Sequence, residues 1–104
     1  SVNLNQNYIG KTEEEVFKIQ LKELEKHKAG LTMQEKKLDE LLAKLKLEMG
    51  EAQKSNASNE EKKRMQEEFM KKHETILQEQ KKLQFEVQQL EIEHKNLIKR
   101  MNKK

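Results

Sequence analysis

The chain has 104 residues; 39% are charged, 33% apolar and 4% aromatic, cysteine and proline are absent, and the formal net charge is +3. Without cysteine there is no disulfide, no thiolate nucleophile and no cysteine-based zinc site. So little apolar content rules out a large globular core, and heavy charge with few aromatics is the composition of long helices.

Residues 1–11 form a polar N-terminal arm, with Asn3, Asn5, Gln6, Asn7 and Gly10. The arm is expected to be extended or poorly ordered, with Val2, Leu4, Tyr8 and Ile9 available to dock. The chain opens on Ser1 and not on Met, so it reads as a segment of a longer protein.

Helix one is expected over 12–50. Thr12-Glu13-Glu14-Glu15 is a capping box, in which the threonine oxygen takes an amide hydrogen and Glu15 reaches back. Three acids in the first turn also suit the positive end of the helix dipole. Phe17, Leu24, Leu31, Leu38 and Leu45 then recur every seven residues. Such a repeat marks a helix that packs along a seam. With this row lettered d, the a row is Leu21, Lys28, Glu35, Leu42 and Met49. Gly30 is a soft spot, but the leucines keep phase through it, and a mid-helix glycine costs only about 1 kcal/mol against alanine. Gly50 is the expected C-terminal cap.

Residues 51–59 are expected to turn, because Lys54 to Asn59 has no apolar period and is rich in turn-formers. Asn56-Ala57-Ser58 fits the glycosylation pattern, read here as a chance match. Ser58-Asn59-Glu60-Glu61 is a second capping box, so helix two is expected over 60–102, with a basic tail at 103–104. Its d row is Phe69, Ile76, Leu83, Leu90 and Leu97; its a row is Gln66, His73, Gln80, Val87, His94 and Met101.

From Leu45 to Phe69 is 24 residues, three heptads plus three, so the two d rows are out of phase. One unbroken seam would need a stammer there, whereas two helices joined by a turn need no correction. The fold class expected is therefore all-α: two long amphipathic helices in an antiparallel hairpin, forming a coiled-coil or four-helix assembly. The rival is a parallel coiled-coil dimer roughly 130 Å long at 1.5 Å per residue. In an antiparallel pair a residues layer with d residues. Leu21 with Leu90, Leu24 with Val87 and Leu42 with Phe69 share a residue-number sum of 111, which folds the chain between Ser55 and Asn56. Lys28 then faces Leu83, and Glu35 faces Ile76. Heptads fix that sum only to within multiples of seven.

The oligomer interface is expected on Phe17, Leu21, Leu24, Leu31, Leu38, Leu42, Leu45, Phe69, Ile76, Leu83, Val87, Leu90 and Leu97. Lys28, Glu35, His73 and His94 are polar seam positions, the kind that set register and partner choice. Apolar residues also stand outside the seam, among them Ile19, Met33, Leu47, Met70, Phe85 and Ile92, and a helix with more than one apolar face meets more than one neighbour.

No nucleophile stands with a base, and no glycine-rich loop could cradle phosphate, so an enzyme is not expected. No cofactor is expected either. His73 and His94 are 21 residues apart, about 30 Å along a helix, too far to share a metal. The function expected is a non-enzymatic oligomerisation or scaffold module, with a homo-oligomer or another helical protein as partner. The alternative is a polyanion binder using Lys95, Lys99, Arg100, Lys103 and Lys104, which have no acid among them. An acidic protein surface fits such a patch better than nucleic acid or membrane, because stacking aromatics are missing there. No apolar run approaches the roughly 20 residues of a transmembrane helix, and no signal peptide is visible. The protein is expected inside the cell, in the cytoplasm, with the cytoskeleton and the nucleus as the alternatives.

Overall fold

The computed structural model describes residues 8–103. Two helices, α1 (Glu13–Lys54) and α2 (Asn59–Asn102), pack against each other as an extended antiparallel hairpin. The molecule measures 69 × 24 × 20 Å, about half the length of the rod that the parallel alternative requires.

Local chemistry sets the helix ends. Thr12 Oγ1 accepts from the Glu15 backbone N–H at 3.2 Å, and Glu15 Oε1 accepts from the Thr12 backbone N–H at 3.1 Å. The Thr12 hydroxyl also donates to Glu15 Oε1 at 2.9 Å. The backbone bond first, then the hydroxyl bond, holds the Glu15 carboxyl below the ordinary carboxylate range. Ser58 caps α2 by accepting from the Glu61 N–H at 3.1 Å, without the return bond that completes the box at Thr12.

Gly50 does not end α1. The helix runs four residues further, to Lys54, because Met49 and Ala52 continue the a and d rows and stay half-buried on the seam. Keeping them there outweighs the intrinsic cost of a helical glycine. Ser55 makes the stop. Its extended backbone leaves the helix while its N–H and hydroxyl both donate to the Ala52 carbonyl, at 3.2 and 2.6 Å. The turn is therefore residues 55–58. Before α1, Tyr8 to Gly10 form a tight turn where an extended arm was expected; Lys11 N–H donates to the Tyr8 carbonyl, and Gly10 adopts φ +76°, a conformation that favours glycine. Val2 and Leu4 lie outside the described residues.

The seam follows the heptads. On α2 the d residues Ile76, Leu83, Leu90 and Leu97 are buried and Phe69 half-buried; on α1 Leu31 is buried and Phe17, Leu24, Leu38 and Leu45 are half-buried. Leu31, Leu83 and Leu90 form the core, with Leu24, Leu38 and Val87 packed against it. Leu31, at 4% exposure, is among the most enclosed. Two helices cover each side chain from one direction only, so more complete burial needs a third element.

The register is one heptad away from the expected one. Asp39 Oδ1 accepts from Gln80 Nε2 at 2.8 Å, and Lys28 Nζ stands 3.9 Å from Glu91; both pairs of residue numbers sum to 119. The nearest a-to-d layering sums to 118, which places Lys28 opposite Leu90 and Glu35 opposite Leu83, in place of Leu83 and Ile76. The physical reason can be counted. A sum of 111 makes three wholly apolar layers, and 118 makes five: Phe17–Met101, Leu21–Leu97, Leu31–Val87, Leu42–Ile76 and Met49–Phe69. It also ends the helices flush at the open end, while the first turn of α2 overhangs Lys54 at the closed end. Cysteines at positions 42 and 76 should close a disulfide within one chain. Cysteines at 42 and 69 should not, because seven residues of offset add about 10 Å along the axis, beyond the ~7 Å Cα limit of a disulfide. Crosslinking read by mass spectrometry decides between the two.

Candidate interaction surface

The residues expected at an oligomer interface are brought together inside one chain. Phe17, Leu21, Leu24, Leu31, Leu38, Leu42 and Leu45 line the α1 side of the seam; Phe69, Ile76, Leu83, Val87, Leu90 and Leu97 line the α2 side. Packed this way they join the two helices of the hairpin.

The polar seam positions differ from one another. Lys28 is half-buried along its stem and carries its ammonium outward to Glu91, the snorkelling expected of a long cationic chain. Glu35 is half-buried in the apolar layer of Leu83 and makes no ion pair or hydrogen bond among the described residues. His73 is half-buried and stacks on Phe69, ring centroids 5.5 Å apart. His94 is half-buried one turn before Leu97.

Two flanks border the seam. On one lie the contacts of Asp39 with Gln80 and of Lys28 with Glu91. The other holds an open groove at the flush end, lined by Tyr8, Leu24, His27, Leu90, Leu97 and Arg100 among others. Its lining mixes the acids Glu23 and Glu93 with Arg100. No group of three or more metal-ligating side chains is placed to hold an ion among the described residues.

The basic end is exposed. Lys95, Lys99, Arg100 and Lys103 all face solvent, while Lys104 lies outside the described residues. The flush register sets the acidic first turn of α1 beside these bases. There Glu14 pairs with Lys18 at 3.6 Å and Glu15 is engaged by Thr12, so neither carboxylate depends on α2 for a partner.

What remains is apolar surface outside the seam. On α2, Met70 is 59% exposed, Phe85 60% and Ile92 52%, and Leu77 and Ile98 on the same side are half-buried. On α1, Met33 and Leu47 are exposed on the outer face 14 residues apart, and Leu41 is 50% exposed between them on the flank that carries the groove. The α2 set is the denser and the more continuous. Reading only the leading heptad hides it; the signal lies in the intervals of seven and eight from Met70 through Leu77 and Phe85 to Ile92. Among the described residues no helix is long and apolar enough to cross a membrane. No protein-family model, no curated protein and no solved structure matches this chain.

Proposed function

We propose that the chain is a non-enzymatic coiled-coil module that assembles proteins by helix packing, working inside the cell. The observation that carries this reading is the exposed apolar row on α2, from Met70 to Ile92. A hairpin complete in itself would be polar on every outward face; an apolar stripe along one side of an exposed helix is the usual mark of a docking surface. The absence of cysteine suits a reducing compartment.

A second reading, binding of a polyanion such as an acidic protein surface, has the exposed bases Lys95, Lys99, Arg100 and Lys103 behind it. The neighbouring acids Glu13, Glu14 and Glu15 reduce the potential there and make it the weaker of the two. Sedimentation velocity of the 12.4 kDa chain tests both. Assembly through apolar contacts gives a species of at least twice that mass that persists from about 0.1 to 1 M NaCl, because screening acts on charges and not on apolar packing. A monomer at every concentration up to millimolar overturns the assembly reading. Gain of mass only on addition of polyglutamate, lost in salt, would favour the polyanion reading.

A further inference from the structure

On α2 the apolar residues outside the seam, exposed at Phe85 and Ile92 and half-buried at Leu77, share their face with charges. Leu77, Phe85 and Ile92 fall at intervals of eight and seven residues, which keeps them on one side of a helix. Glu74, Lys81 and Lys95 fall between and beside them on the same side. Between Glu74 and Lys95 the row reads almost alike from either end. Turned end for end about a two-fold axis beside Phe85, it sets Leu77 opposite Ile92 of a second copy and Glu74 opposite Lys95 of that copy; both pairs of numbers sum to 169. Phe85 then lies beside the axis, level with Gln84 of the second copy and one residue from its own counterpart. Outside the span from Glu74 to Lys95, Met70 meets Lys99 of the copy. A parallel pairing of the same face puts Glu74 on Glu74, Lys81 on Lys81 and Lys95 on Lys95, and like charges in apposition are repelled. Self-complementarity of this kind is what a closed two-fold interface demands of a single patch.

The neighbouring flank of α1 offers no comparable surface. The residues that follow each d position there are Lys18, Glu25, Thr32, Asp39 and Lys46, so α1 does not contribute equally to a closed four-helix core. We propose that a second copy of this chain docks on the outer face of α2, helix α2 against helix α2 and antiparallel, with the two α1 helices on the outside. This inference rests on the assembly reading and names its partner.

The test uses the whole chain and sedimentation equilibrium at low salt, with circular dichroism to confirm that each variant stays helical. The wild type is expected as a dimer. Phe85→Lys, which puts two ammonium groups beside the axis, should give a monomer, while Leu47→Lys on the outer face of α1 leaves the dimer intact. Glu74→Lys and Lys95→Glu should each weaken the dimer roughly three- to tenfold, as two equivalent exposed ion pairs are lost. The double variant Glu74→Lys with Lys95→Glu should restore the affinity to within about twofold, because the pairs re-form with their signs exchanged. A dimer untouched by Phe85→Lys, a dimer abolished by Leu47→Lys, or a double variant as weak as the sum of the singles overturns the inference and leaves the assembly reading standing. A wild type that sediments only as a monomer removes both.

Discussion

Leu83→Ala should unfold much of the hairpin's margin of stability. Leu83 is 6% exposed and packs with Leu31 and Leu90 in the best-enclosed stretch of the seam. Removing a buried leucine costs about 2–5 kcal/mol, the lost transfer energy plus the cavity left behind. Set against a total stability of about 5–15 kcal/mol for a small protein, that is anywhere from about an eighth to the whole of it. At roughly 4–8 °C per kcal/mol for a chain near this size, the melting midpoint should fall by at least about 8 °C. Leu38→Ala should cost less, because Leu38 is only half-buried. Leu47→Ala, at 65% exposure on the outer face of α1, should stay within about 0.5 kcal/mol of wild type. Thermal and urea melts at low micromolar concentration rank the three. Equal midpoints for Leu83→Ala and Leu47→Ala would mean that the seam does not carry the fold.

The hairpin could be read from the chain because its two strongest signals agree. The phase break between Leu45 and Phe69 forbids one continuous seam, and the turn-formers from Ser55 to Ser58 lie where that break falls. The d rows were legible for the same reason: a seam repeats, and repetition survives local exceptions such as Gly30. Gly50 was misleading because a cap is a local preference of about 1 kcal/mol, and Met49 and Ala52 on the seam outweigh it. The register slipped by seven residues because periodicity is blind to whole heptads. The whole set of layers does distinguish the registers, five apolar layers at a sum of 118 against three at 111. The outer row of α2 was visible only in part, since charges at Glu74, Lys81 and Lys95 interrupt it. Its meaning depends on which face the seam leaves open, and that follows only once α1 and α2 are placed together.

The polar residues of the α1 seam should not respond alike to removal. Glu35 is half-buried opposite Leu83, and no cation or donor meets it among the described residues. Holding a carboxylate against an apolar layer is unfavourable unless the charge is paired, and leucine there would add a sixth apolar layer to the seam. Glu35→Leu should therefore stabilise the hairpin by about 1–3 kcal/mol, the burial value of one leucine side chain. Lys28→Leu should give less. Its stem already covers the Leu90 layer, and its ammonium has Glu91 at 3.9 Å, a half-exposed contact worth about 0–1 kcal/mol that the substitution removes. The double variant should melt highest of the three. It should also associate less cleanly, because an unbroken apolar seam packs equally well against α2 of its own chain, α2 of another, or a third helix, whereas a polar seam position limits the choice. Urea melts followed by sedimentation of the same samples separate the two effects. If Glu35→Leu lowers the midpoint, Glu35 makes a specific bond in the assembled protein, and the α1 side of the seam belongs to a contact that the lone hairpin does not contain. A double variant with a raised midpoint and one sharp species would instead show that register is set by the apolar layers alone, with Lys28 and Glu35 carried at a cost in stability and no return in specificity.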